Sequence, residues 1–239
     1  MKFETLLETN DYIIINKQAG ILTLPDRYSK KAPNYKDILK SIYKDNFVVH
    51  RLDIGTSGCL MFAKNADFHR HINIQFTDHC VKKNYLAILE GDLKEDITID
   101  IPLLVNPNKS GGVICSARGK ESITHIKILE RYGIATLIDA NLVTGRLHQL
   151  RSHCRAIGYP LLVDEIYGNR VEYFVSELKK GRYNLKKGEK ELPIISRPTM
   201  HSIKLSFIDL FGTEIIADAP PPKDLKALIS LLKKYSNKR

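Results

Sequence analysis

Apolar residues fall along the chain in short blocks divided by polar or glycine-bearing breaks, which predicts many brief buried strands and few helices. Runs at 12–15, 58–63, 85–89, 97–101, 123–129, 134–138, 203–208 and 215–217 read as strands, dominated by Ile, Leu and other apolar residues. A helical period is confined to four stretches. In 34–43, Tyr35, Ile38, Leu39 and Ile42 share a face and Asn34 stands where a cap is wanted. In 66–80, Ile72, Phe76 and Cys80 recur every four residues, and a closing helix over 223–235 follows Pro220-Pro221-Pro222. The fourth helix runs from about 146 to 157, after Thr144-Gly145, and is stopped by Gly158 and Pro160.

Strands outnumber helices and follow one another at short range, so the expected class is α+β, a mixed and largely antiparallel β-sheet flanked by helices. No internal repeat or low-complexity linker divides the chain, and residues 1–239 are expected to form a single domain. The stretch at about 169–198 differs from the rest. It is strand-poor, rich in Lys and Arg, carries Tyr173, Phe174 and Tyr183, and reads as a basic surface insertion.

Charge narrows the partner. Thirty-seven Lys and Arg against 27 Asp and Glu leave a formal net charge of +10, which favours a polyanion such as nucleic acid. Cys59, Cys80, Cys115 and Cys154 are scattered without paired spacing, which argues against zinc or redox motifs and for a reducing compartment. No apolar run reaches the ~20 residues of a membrane span, and the first residues lack a signal-peptide core, so a cytoplasmic protein without membrane attachment is expected.

The most informative residues are His50-Arg51-Leu52-Asp53, closely followed by Thr56-Ser57-Gly58, between two apolar runs. An acid at such a turn needs partners from the fold. Burial alone would raise the pKa of Asp53 and neutralise it, whereas a nearby arginine would keep it charged and oriented. Arg51 lies two positions away and projects alongside Asp53 in an extended segment. Arg151 sits on the edge of a core-facing helical stripe with Leu147 and Cys154, where a guanidinium needs a buried anion, and it is the expected partner. Replacing Arg151 by Met is expected to leave folding intact and to reduce turnover. His148 and His153 are five residues apart, which does not stack on one helix face, so hydrogen-bonding roles are expected and no metal site. Tyr85 leads a strand out of a basic stretch and is either a stacking surface for a base or ordinary strand packing.

These residues closely resemble those of the RluA-type RNA pseudouridine synthases. His50-Arg51-Leu52-Asp53 with Thr56-Ser57-Gly58 looks like the family's catalytic motif, and the stretch from Gln75-Phe76 to Gly91 looks like the segment carrying its active-site tyrosine. The run from Thr144 to His153, continuing through Gly158-Tyr159-Pro160 and Asp164-Glu165-Ile166-Tyr167-Gly168, resembles a second signature whose later arginine pairs with the aspartate. Asn16-Lys17-Gln18-Ala19-Gly20, Gly119 to Thr124, Met200-His201 with Leu205 and Phe207, and Ala219-Pro220 with Pro222 extend the likeness in the family's order. Gln18 replaces a customary proline and Leu147 a common threonine. The likeness starts close to the first residue, so the catalytic part is expected without the S4 RNA-binding domain of many relatives.

The resemblance implies the pseudouridine synthase catalytic fold and isomerisation of a uridine in ribosomal or transfer RNA by a monomer, with base flipping and without metal or other cofactor. It implies catalytic roles for Asp53, Tyr85 and Arg151, and substrate contacts for Arg51, His50, Thr56, Arg146, His148 and Gln149. Arg51 would fill the position the flipped base leaves. A non-catalytic RNA-binding scaffold and a metal-dependent nuclease using His50 and Asp53 are the competing readings; the complete Asp53, Tyr85 and Arg151 set opposes the first, and the lack of clustered carboxylates the second.

Overall fold

The computed structural model describes residues 3–26, 29, 31–106, 112–179 and 190–236. Two compact units emerge, one from 1–84 with 201–220 and the other from 85–200 with 221–239.

The first unit contains β1 (Glu4–Glu8), β2 (Tyr12–Lys17), α1 (Tyr35–Lys40), β3 (Phe47–Val48), β4 (Ser57–Ala63) and α2 (Ala66–Thr77). It also holds most of β11 (Met200–Ile208) and β12 (Glu214–Asp218). β4 is its axis, and every residue of that strand is buried. Antiparallel β2 covers one edge along its length; the other edge is shared by β11, parallel to its start, and by β3, antiparallel to its end. The alternation of side chains sends Cys59, Met61 and Ala63 with Tyr12 and Ile14 into a core closed by Phe68 and Ile72 of α2 and by Leu205 and Phe207 of β11. Tyr12, Phe68 and Phe207 meet there with ring centroids 4.8–6.0 Å apart.

The second unit carries β5 (Lys82–Glu90) from Tyr85 onward, with β10 (Ala135–Leu142), β9 (Ile123–Arg131) and β6 (Ile97–Asp100) beside it in that order. β7 (Leu103–Val105) and β8 (Val113–Cys115) form a separate antiparallel pair, and α3 (Gln149–Ala156), α4 (Val175–Lys179) and α5 (Lys223–Ser236) complete the unit. A mixed, mostly antiparallel sheet flanked by helices is therefore what this chain forms, as its apolar pattern predicts.

Three helices end or begin away from their expected limits, each for a local reason. α1 stops at Lys40 because the Ser41 hydroxyl takes the Ile38 carbonyl at 2.7 Å, and Ile42 is left exposed. Its start agrees with expectation, since the Asn34 side chain accepts the Asp37 N–H at 2.9 Å. α2 ends at Thr77, where His79 turns left-handed (φ 57°) and the Cys80 N–H reaches back to the Gln75 carbonyl, so Cys80 lies exposed beyond the helix. α3 begins at Gln149, three residues later than expected, because His148 is left-handed (φ 50°) and the Gln149 side chain ties down the preceding turn.

The basic segment is more firmly seated than a plain surface insertion. Tyr173 is buried and exchanges backbone hydrogen bonds with 194–195, which closes the segment's two ends on each other. Arg170 bonds Glu90 and Glu177, and Arg197 grips Asp224 with two hydrogen bonds of 2.7 and 2.9 Å. Tyr183 lies outside the described residues. Among those described, all four cysteines are free thiols, and no helix is long and apolar enough to cross a membrane.

Gly58 is where β4 and β11 come closest. It has φ 117°, and a Cβ there would overlap the Ser202 carbonyl. Gly58→Ala is expected to cost about 3 kcal/mol or more through strain and overpacking together, measured as a lowered urea midpoint.

Candidate active site

In the first unit the segment 50–57 has an engaged backbone and partly exposed side chains. Leu52 points inward, while Arg51 is exposed and Asp53 half-buried. Thr23 holds Leu52 twice, its hydroxyl accepting the Leu52 N–H at 3.2 Å and donating to the Leu52 carbonyl at 3.0 Å. The Thr56 N–H closes a turn on the Asp53 carbonyl at 3.0 Å.

A fully buried lysine fastens this turn. Lys17, at the end of β2, donates to the carbonyls of Gln18, Ile54 and Thr56 at 3.0, 3.3 and 2.8 Å. The Gly20 N–H adds a further bond to Ile54 at 2.8 Å. Three carbonyl dipoles thus solvate the buried ammonium and in return lose their freedom to move. The next residue is tied as well. Ser57 lies 2.8 Å from Nδ1 of buried His201, whose Nε2 meets the Ala219 carbonyl at 3.1 Å. Nε2 must carry the proton there, so Nδ1 accepts the Ser57 hydroxyl.

His50 turns out to be part of the framework. Its ring stacks on Phe76 at 5.4 Å, and its Nε2 accepts the Met61 N–H at 3.0 Å. Burial, followed by the charge of Lys83, pushes its pKa down to about 3, so it is a neutral ring at physiological pH. An imidazole occupied in this way holds the segment to β4.

In the second unit Arg151 is buried on α3 and gripped by a carboxylate whose role the sequence did not disclose. Its Nε and Nη2 donate to the two oxygens of Asp164 at 2.7 Å each, and Nη2 also reaches Glu165 at 3.0 Å. The guanidinium lies over the Tyr167 ring, 5.3 Å from its centroid. Burial would raise the Asp164 pKa, but the Arg151 hydrogen bonds and charge, with the N–H groups of Tyr167 and Ile166, hold it below the ordinary carboxylate value. The Tyr167 hydroxyl accepts the Val113 N–H and sits 3.1 Å from His148 Nδ1.

Gln149 is expected at the substrate, yet its amide is saturated within the protein. Its oxygen accepts from Thr144 at 2.7 Å and from the Arg146 N–H at 3.0 Å; its nitrogen donates to the Ile123 carbonyl and to Thr124, both at 3.0 Å. All four positions are used, so Gln149 is a brace for the turn before α3. Buried His153 extends the same network, with Nδ1 at 3.0 Å from the Thr124 hydroxyl and Nε2 at 2.9 Å from the Ile101 carbonyl. Arg146 is exposed and bonds the Glu121 carbonyl through Nε at 3.0 Å. Tyr85 is buried near the start of β5.

Lys17, Thr23, His201, Asp164 and Tyr167 thus carry work that composition and spacing did not assign to them. Asp164 had the clearest signal, an acid a few residues beyond a helix that buries an arginine.

The fold is that of a known class of RNA-modifying protein. It matches human RNA pseudouridylate synthase domain containing 4 with a TM-score of 0.75 at 20% identity, over 96% of this chain and 93% of that one. A family model described as RNA pseudouridylate synthase matches residues 11–156. Ribosomal large subunit pseudouridine synthase D of Zymomonas mobilis is 30% identical over 96% of this chain and 72% of its own length. The dual-specificity RNA pseudouridine synthase RluA of Vibrio vulnificus is 35% identical over 73% of this chain and 72% of its own length. The chain belongs to the RNA pseudouridylate synthase family, in its RluA-type branch. It is an isomerase acting on RNA, converting uridine to pseudouridine.

Two predictions come from the buried groups. Removing Arg151 strands the Asp164 carboxylate, so Arg151→Met is expected to destabilise the fold by about 3–5 kcal/mol in urea unfolding, against the expectation from sequence that folding survives intact. His50 and His153 are both lowered from 6.5 by burial, so unfolding lets each bind a proton. Their stabilising contribution is complete above about pH 6.5 and declines as pH falls, for His50 down to about 3. Between pH 6.5 and 5 the unfolding free energy should drop by up to about 1.4 kcal/mol per pH unit for each histidine, and His50→Gln should flatten the slope.

Proposed function

We propose that Asp53 is the reacting carboxylate, that Arg151 keeps it charged and oriented, and that Tyr85 stacks on the uracil and takes part in proton removal at C5. The observation carrying this reading is the bracing of the 50–57 backbone: two lysine bonds, to the Ile54 and Thr56 carbonyls, and the Thr23 clamp support a turn from which Asp53 projects half-buried. Rigid support of this kind holds a reacting group in place at little entropic cost. Asp164 occupies Nε and Nη2 of Arg151 and so fixes the plane of its guanidinium.

The reaction breaks the C1′–N1 bond, turns the uracil, and forms C1′–C5; the C5 proton leaves and N1 regains one. A stacked uridine is out of reach, so the base is flipped at a cost of a few kcal/mol. Exposed Arg51 fills the position it leaves, and contacts between the +10 chain and phosphates supply compensating affinity. His148 and Arg146 contact the substrate, and the basic stretch at 169–198 adds RNA contacts. The substrate is ribosomal or transfer RNA; the relative at 30% identity is named for the ribosomal large subunit and that at 35% identity as a dual-specificity RNA enzyme. Residues 1–239 act as one monomeric catalytic domain, without metal, in the cytoplasm, where its four free thiols stay reduced.

RNA tritiated at uracil C5 tests the assignment. Release of tritium by the protein should be abolished in Asp53→Asn with folding unchanged by circular dichroism. Full release by Asp53→Asn would remove Asp53 from the chemistry, and RNA binding without release by the unaltered protein would point to a scaffold.

A further inference from the structure

Among the described residues one buried side-chain polar atom has no hydrogen-bond partner, the hydroxyl oxygen of Thr56. The residue is 1% exposed. Its backbone is fully engaged: the N–H closes the turn on the Asp53 carbonyl and the carbonyl receives Lys17 at 2.8 Å. β4 begins at the next residue, and Gly58 locks it against β11. The main chain of Thr56 is thereby held in place, and its buried hydroxyl has no partner among the described residues.

A buried hydroxyl left unpaired lowers stability, and valine would fill the same space without that penalty. Around it the polar groups of Lys17, Thr23, Ser57 and His201 are all bonded, so the omission at Thr56 stands alone in a braced neighbourhood. A donor unused at rest accelerates a reaction if it finds its acceptor only in the reacting state. The anionic acceptor in the same four-residue turn is the Asp53 carboxylate.

We propose that Thr56 is a positioning residue whose hydroxyl donates to the Asp53 carboxylate once that side chain has turned toward C1′ of the bound uridine, and holds it there. This rests on the reading of Asp53 as the reacting group. The donated bond favours the charged carboxylate, so it also extends activity to lower pH. Nothing is oxidised or transferred; the hydroxyl keeps its proton throughout.

Thr56→Val and Thr56→Ser, compared with Asp53→Asn in the tritium-release assay, test the proposal. Thr56→Val should melt at the same temperature or higher, lose about tenfold to a hundredfold in kcat with little change in KM, and shift the acid limb of its pH–kcat profile upward. Thr56→Ser, which restores the hydroxyl, should recover most of the rate. A lower melting temperature with kcat unaltered would show that the hydroxyl is structural, and a raised KM with kcat and pH profile unaltered would show that it binds RNA; either overturns the proposal. If Asp53→Asn stays active, the reading of Asp53 itself fails, whereas an inactive Asp53→Asn beside a fully active Thr56→Val removes Thr56 alone.

Discussion

A polar group taken out of water must be bonded inside the protein, and this requirement shapes both segments that carry the family's motifs. Lys17 is the severest instance, a fully buried cation solvated by three main-chain carbonyls. Because those carbonyls belong to the turn at Asp53 and to the glycine turn after β2, satisfying the lysine also determines the path of the chain. Arg151 and Asp164 meet the same requirement in the second unit through two parallel hydrogen bonds, with Ile166 and Tyr167 supplying further donors to the carboxylate. Neither partner could be buried without the other.

The residues that do the bracing are distinct from those left exposed to solvent. In the first unit, His50, Leu52 and Ser57 are tied inward, whereas Arg51 is exposed and Asp53 half-buried. In the second, Gln149 and His153 are consumed by a network linking Ile101, Thr124, Thr144 and Arg146, while the Arg146 guanidinium remains at the surface. On the proposed reading, such separation lets a flexible substrate meet side chains that are already oriented, which limits the entropy lost on binding. It also makes the unpaired Thr56 hydroxyl informative, since it lies in the part of the fold where polar groups are otherwise matched.

Much of the architecture was legible in the chain. β2, β4 and α2 follow from runs whose apolar residues fill one core, and α5 from a run that buries Leu225, Leu228 and Leu232. β1, β3, β7, β8 and α4 were not anticipated. β3 has two residues and β7 and β8 three each, too few for a period to register, and they exist through pairing with partners distant in sequence or across a turn. The delayed start of α3 has a similar origin: propensity favours helix from 146, but the Gln149 side chain supplies the preceding turn with better bonds than one more helical turn would.

By itself the sequence determined the fold class and the family, because apolar period and ordered motifs are local and survive without coordinates. The motif His50-Arg51-Leu52-Asp53 and the segments carrying Tyr85 and Arg151 were legible in this way. The assignment of roles around them was decided by tertiary structure. His50 and Gln149 became framework, Arg151 acquired Asp164 and Glu165, and Lys17 became the fastening of the Asp53 turn. A hydrogen bond is made or withheld over a few tenths of an ångström between residues as distant as Ser57 and His201, 144 positions apart, and no spacing along the chain encodes that distance.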